Sequence, residues 1–286
     1  MKILLTGRNG QVGSALERAL APRAEVLALG RLELDLSRSS SIEETIRKAK
    51  PDLIVNAAAY TAVDRAESER DAAFAVNASA VAVMAGEAKR LDALLVHFST
   101  DYVFDGEKSA PYVETDAPNP LSVYGESKLA GERAVAASGC RHFIFRSSWV
   151  YGPGGHNFVY AILAAAKAKP ELRVVNDQRG APTSSAAIAG AIAGIFSSSD
   201  FLEKKSGIYH LSAAGQTTWY EFAQEILAQK GLRTPVVPLS SAQYAAPARR
   251  PKNSLLDNGK LRATFGVVLA DWRQGFRDIS SKIDTR

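Results

Sequence analysis

Tyr124 and Lys128 stand four residues apart in "YGESK", and Thr100 closes the earlier run "LLVHFST". In a helix, positions i and i+4 share one face, so the phenol and the ammonium project to the same side. A phenol titrates at about pH 10 and is a slow proton donor at neutral pH. An ammonium beside it stabilises the phenolate and lowers that value. A hydroxyl such as that of Thr100 can hold a reacting oxygen while Tyr124 passes it a proton. With a hydride source at the carbonyl carbon, the three together reduce a ketone. Any helix pairs Tyr with Lys by chance, however, so the reading needs a cofactor site elsewhere in the chain.

That site is written at the N-terminus. In "LLTGRNGQVGSAL", Gly7, Gly10 and Gly13 have the spacing G-x-x-G-x-x-G between an expected strand (2–6) and an expected helix (11–20). Gly7 permits a tight turn, and Gly10 lets backbone approach a pyrophosphate at the helix N-terminus, where free N–H groups favour anions. Gly13 lets helix and strand pack closely. Arg8, Asn9, Gln11 and Val12 complete the loop expected to cradle a dinucleotide. Many NAD sites carry an acid at the end of the second strand; here "EVLALGRLELD" brings Arg31 to that place. Arg8 and Arg31 would suit the 2′-phosphate of NADPH, with NADH the alternative, or would simply be solvated. Asp35 and Leu36 are expected near the adenine.

Positioning these groups requires a particular scaffold. Short apolar runs at 2–6, 25–29, 52–59, 93–99, 142–148, 172–176 and 207–212 alternate with helical patterns, including 41–50 and a long one at 71–90. The early strands lack polar alternation, as expected of strands buried on both faces of a parallel sheet. The fold class expected is α/β, a doubly wound parallel (Rossmann) sheet. Residues 1–152 would form the dinucleotide-binding domain, and 153–286 mainly a smaller C-terminal substrate-binding lobe with some segments returning to the sheet. The Pro- and Ser-rich stretch 234–254 reads as loops of that lobe. Ser99 and Thr100 fall at the carboxyl end of a buried strand, where ligands bind in such sheets.

Composition narrows the field of partners. The 286 residues are 46% hydrophobic and 23% charged, with a net charge of +5 spread along the chain. No basic block points to nucleic acid, and a mild cationic excess suits an anionic small molecule. A single cysteine, Cys140, excludes an intramolecular disulfide. "MKILLTG" is too short for a signal peptide and no apolar run is long enough to span a membrane, so a cytoplasmic setting is expected. His97, His142, His156 and His210 have no zinc-ligand spacing, and no metal is assigned to them.

Taken together, "TGRNGQVG", "NAAAYTAVDRAE", "STDYVFDG", "YGESKLAGE", "FRSSWVYG", "NDQRGAPT" and "RRPKNS" resemble the dTDP-4-dehydrorhamnose reductase family of the extended short-chain dehydrogenase/reductases. The resemblance implies NADPH-dependent reduction of the 4-keto group of a dTDP-sugar, the last step of dTDP-L-rhamnose synthesis. Thr100, Tyr124 and Lys128 match the family's catalytic trio. Ala57, Ala58 and Ala59 would border the cofactor, with Val63 and Asp64 near the substrate and Asp101 beside Thr100. Trp149 matches a tryptophan beside the deoxysugar, although it could equally be core. Arg250, Asn253 and Ser254 would meet the nucleotide diphosphate, with a plain surface charge the lesser alternative for Arg250. Some members form a magnesium-bridged dimer through acids after the glycine loop and after "GAPT". Here those places read Ser14–Ala15 and "SSAAIAG" (184–190), so magnesium is not expected, and a monomer or weak homodimer is. Two other readings stand beside this one: a non-catalytic NADP-binding regulatory subunit, which would have no chemical need for the trio, and another nucleotide-sugar epimerase or dehydratase.

Overall fold

The runs of Ile, Leu and Val form the interior of one sheet because both of their faces are covered. The computed structural model describes residues 1–283. Its central sheet contains β1 (Lys2–Thr6), β2 (Glu25–Leu29), β3 (Leu53–Asn56), β4 (Leu94–Thr100), β5 (His142–Ser147) and a sixth strand, Gly207–His210. Their spatial order is Gly207–His210, β5, β4, β3, β1, β2. Every pairing is parallel. This is the doubly wound sheet expected.

Alternate residues of each strand feed two different cores. Ile3, Leu5, Val55, Val96 and Phe143 pack on one face with Leu16, Ile188 and Ile192. Leu4, Ile54, Leu95 and Ile144 pack on the other with Ile42, Ile46 and Met84. The first layer comprises α1 (Gln11–Leu20) and the Ser185–Ser197 helix; the second includes α2 (Ser39–Ala49) and α5 (Ala80–Leu91). Thus the Ser185–Ser197 helix and the Gly207–His210 strand, both late in the chain, belong to the sheet and its cover. A third core, with Tyr151, Phe222, Trp272 and Phe276, lies within the rest of the C-terminal half.

Two segments differ from expectation. Val236–Leu239, expected as loop, is a strand paired in parallel with Leu172–Val175. Pro238 is tolerated because this strand has one neighbour and loses no second ladder. The expected helix at 71–90 is interrupted: α3 (Val63–Ala66) and α4 (Arg70–Phe74) lead into a π-helical turn, Ala75–Ser79, before α5 begins. Buried Asn77 sits in that turn. Its amide accepts from Tyr60 N at 2.8 Å and donates to Tyr60 O and Ser127 Oγ, both at 3.0 Å. The wider turn lets Asn77 grip the loop that follows β3.

Candidate active site

The glycine loop is a cradle that side chains would fill. Gly7 has φ +77°, and a Cβ there would lie 2.7 Å from Ala58 N and 2.8 Å from the Ala57 carbonyl. A Cβ on Gly13 would lie 2.0 Å from Gly7 O. Loop, helix and the end of β3 therefore meet at backbone distance, with Ala57, Ala58 and Ala59 half-buried beside them. Helix α1 begins at Gly10 with no side-chain cap, so its first N–H groups stay free for an anion. An uncapped helix start ringed by glycine fits the pyrophosphate of a dinucleotide. Gln11 Oε1 accepts from Asn157 Nδ2 at 2.9 Å, which ties the loop to the C-terminal half.

Arg8, expected for a 2′-phosphate, pairs with Glu17 at 3.0 Å and donates to Ala28 O at 3.4 Å. A carboxylate, absent from the sequence expectation, stands at the end of β2: Glu33 Oε2 accepts from Gly30 N at 2.8 Å, beside Asn9. Arg31 is exposed. Asp35 accepts from Ser37 N at 3.0 Å and Ser37 Oγ at 2.8 Å, and these bonds hold its carboxyl below the usual range. Leu36 is buried in the core with Leu34 and Ile42.

The trio converges from two elements. Thr100 is the last residue of β4, the strand beside β3. Helix α6 (Val123–Ser138) starts where Ser122 Oγ accepts from Gly125 N at 3.2 Å. This cap fixes Tyr124 in the first turn, with buried Lys128 one turn on. Thr100 lies near the Tyr124 hydroxyl and favours its ionised form, yet burial dominates and pushes the phenol up to about 12. Thr100 Oγ1 in turn donates to Asp101 Oδ1 at 2.8 Å.

The expectation that Lys128 lowers the phenol is not met. Lys128 Nζ donates to Phe98 O at 2.6 Å and lies 3.4 Å from His97 Nε2. Burial moves the lysine itself down to about 8, against a smaller pull from Glu132. Desolvation dominates both shifts, over Thr100 at the phenol and over Glu132 at the lysine.

Asp101 is buried and accepts from Thr100 Oγ1 and from Ser148 Oγ at 3.2 Å, with Ser254 nearby, and burial still raises its carboxyl to about 6. Asp64, in α3 beside half-buried Val63, is paired with Arg250, and these bonds lower its carboxyl. Arg250 also lies near the Tyr102 phenol, whose ring meets that of Tyr124 edge-on at 5.8 Å. Trp149 has φ +47°, a strained value for a bulky residue. Its indole stacks on Trp219 with centroids 3.5 Å apart and an interplanar angle of 7°. A Cβ on Gly180 would lie 2.4 Å from that indole. Asn253, expected to meet the diphosphate, gives both amide hydrogens to backbone, Lys108 O at 2.7 Å and Ala110 O at 3.0 Å, and accepts from Leu255 N at 3.1 Å, which clamps the 108–110 loop. Ser254 is buried near Asp101.

Several contributors escaped the sequence reading. His97 sits inside an apolar strand, and Asn77 inside an Ala- and Val-rich helix pattern; a polar residue in such a run is the signal that could have marked both. Glu132 and Arg146 form a buried bidentate pair at 2.9 and 2.6 Å, which also receives Ser99 Oγ. Its partners are far apart in sequence and gave no local pattern. Among the described residues no group of three or more His, Cys, Asp or Glu could hold a metal ion, and no helix is long and apolar enough to cross a membrane.

Known proteins share both the sequence and the shape. The family described as RmlD substrate binding domain matches residues 1–284. A dTDP-4-dehydrorhamnose reductase of Burkholderia thailandensis is 47% identical, over 96% of each chain. One of Escherichia coli K12 is 42% identical, over 100% of this chain and 99% of the other. The crystal structure of the Bacillus anthracis dTDP-4-dehydrorhamnose reductase in complex with NADP superposes with a TM-score of 0.92 at 34% identity, over 97% of this chain and 98% of that one. On this family match and these full-length identities, the chain belongs to the dTDP-4-dehydrorhamnose reductase family.

Proposed function

We propose that the protein reduces the 4-keto group of dTDP-4-dehydro-β-L-rhamnose with NADPH, giving dTDP-L-rhamnose. One observation carries the reading: Thr100, at the carboxyl end of β4, lies close enough to Tyr124 to act on its phenol, with Lys128 one helical turn away. A binding subunit has no chemical use for that arrangement. The bound dinucleotide supplies the hydride.

The chain's own residues do the rest. Gly7, Gly10 and Gly13 admit the pyrophosphate to the start of α1, with Arg8, Asn9, Gln11, Val12, Arg31, Asp35 and Ala57–Ala59 around the cofactor. Thr100 holds the sugar oxygen. Tyr124 gives that oxygen its proton, and its phenol is neutral at pH 7, as a donor must be. Lys128 returns a proton to Tyr124 and recovers one from water. Trp149 lines the deoxysugar, and Val63 and Asp101 stand beside it. Arg250 turns from Asp64 toward the substrate's diphosphate, which carries two charges for a bidentate donor. Residues 1–152 serve the cofactor and 153–286 mainly the sugar nucleotide. The protein works in the cytoplasm, without added metal, as a monomer or weak homodimer. Ser14–Ala15 and the acid-free 184–190 segment support the last two points.

Purified protein, NADPH and the ketosugar nucleotide made in situ test the reading. Loss of NADPH absorbance on adding the ketosugar is expected, and a cofactor that is never oxidised would overturn it. Activity lost in chelator and restored by magnesium would overturn the metal-free part alone.

A further inference from the structure

His97 is fully buried in β4, and its two ring nitrogens face different partners. On one side, Asn56 Nδ2 lies 3.1 Å from Nδ1. The orientation of that amide is fixed, because Asn56 Oδ1 already accepts from Ala58 N at 3.2 Å and from Thr6 Oγ1 at 2.7 Å. A backbone N–H donates only, so Oδ1 is the acceptor end and Nδ2 must donate to the ring. His97 Nδ1 is therefore an acceptor. The ring is neutral, since burial first and Lys128 second hold its pKa well below the usual value. The one ring proton must then sit on Nε2, which points at Lys128 Nζ from 3.4 Å.

This arrangement sets two donors against each other whenever Lys128 is an ammonium. It is satisfied when Lys128 is a neutral amine: the lone pair accepts from Nε2–H while an amine hydrogen is given to Phe98 O at 2.6 Å. The charged groups around the pair are few. Glu132, from α6, favours the ammonium, but it is already held in two bonds by Arg146 of β5. Asn56 and Thr6, from β3 and β1, are neutral.

We propose that His97 is a positioning residue for proton return: its Nε2–H, locked in place by Asn56, keeps Lys128 from being held permanently as an ammonium, so that the lysine can give up and regain a proton in each turnover. In the balanced step, the sugar carbon gains a hydride and the sugar oxygen gains the Tyr124 proton. The phenolate takes a proton from Lys128, and the amine left behind takes one from water. A lysine of ordinary basicity would give its proton up more slowly, because proton transfer is favoured from a donor whose pKa lies near the working pH. The consequence for turnover rests on the reductase reading; the interaction itself does not.

The test reads Lys128 directly, without the ketosugar. Protein carrying ¹³C-labelled lysine side chains is titrated by NMR, with Lys128→Met identifying the resonance. Two variants separate the ring's ends. His97→Gln keeps a donor near the Nε2 position. His97→Asn keeps an acceptor for Asn56 near the Nδ1 position and removes the N–H that faces Lys128. Wild type is expected to titrate at about 8, His97→Gln close to it, and His97→Asn upward by about one pH unit or more. The alkaline limb of kcat should move with it. A titration that stays in place in folded His97→Asn, or that moves equally in both variants, would overturn the proposal and leave His97 as packing. If the ketosugar is not reduced at all, the reductase reading fails while the titration still decides the role of His97.

Discussion

Arg250 gives both terminal nitrogens of its guanidinium to the carboxylate of Asp64, at 3.0 and 2.9 Å, across 186 residues of sequence. The pair joins helix α3 to the segment that also supplies Asn253 and Ser254. In the proposed reading, the substrate's diphosphate would compete with Asp64 for Arg250. Arg250→Met is expected to raise KM for the sugar nucleotide roughly tenfold or more, the value of a charge-assisted bond, with kcat changed less. Steady-state kinetics check it; an unchanged KM would remove Arg250 from the diphosphate site.

Tyr124→Phe keeps the ring that packs on Tyr102 and removes the proton donor. Turnover should fall by roughly 10²–10⁴-fold, the usual worth of general acid catalysis. NADPH affinity, measured by fluorescence titration, should stay near that of wild type. Wild-type turnover in this variant would show that another group protonates the sugar.

Lys128 opposes folding at neutral pH. Its pKa is lowered from 10.5 to about 8 in the fold. The unfolded chain therefore binds more protons between these values, and stability from this group rises with pH across that window. Below it the buried ammonium is a liability. Lys128→Met should lose turnover, weaken NADPH binding and melt higher at pH 7, with a gain of about 2 kcal/mol. The gain should shrink as pH rises toward 10. A variant that melts lower than wild type would contradict this.

Asp101 has the opposite sign. Its carboxyl is raised from 3.8 to about 6, so the native state binds the extra proton between those values. Its contribution to stability is fully present below the lower value and is lost as pH rises through the upper one. Asp101→Asn should melt higher than wild type at pH 7.5, with the difference closing as pH falls toward 4. Paired melting curves across that range check it.

Asn77 holds the post-β3 loop through two hydrogen bonds to the Tyr60 backbone and reaches Ser127 of α6 through a third, all from within a π-helical turn. Asn77→Ala leaves the Tyr60 backbone without these partners. A loss of about 2 kcal/mol in stability is expected, with the Ala57–Ala59 wall loosened and NADPH affinity lowered. Unfolding in denaturant and cofactor titration measure the two effects.

How much of this the sequence carries depends on distance along the chain. The glycine loop, the strands of the first half and the Tyr124–Lys128 spacing are local patterns, and each appears where its period and turn residues place it. The Val236–Leu239 strand was hidden because Pro238 reads as loop, and only its partner at 172–175 makes it a strand. The turn at Asn77 was hidden because its neighbours are all helix formers. The direction of the Tyr124 shift was missed for a different reason. Spacing shows that a cation is near, but not that burial outweighs it or that the cation faces His97. Arg8 and Asn253 suit a phosphate by type, and only their partners, Glu17 and the 108–110 backbone, reveal that they are already engaged.

The central claim is that hydride reaches the sugar carbon while Tyr124 protonates its oxygen. NADPH deuterated at the transferable position, incubated with the protein and the 4-keto sugar nucleotide, tests it most directly. The account predicts a dTDP-deoxysugar with one deuterium at C4 and one equivalent of NADP⁺ formed. Product without the label, or product formed while the dinucleotide remains reduced, would contradict it.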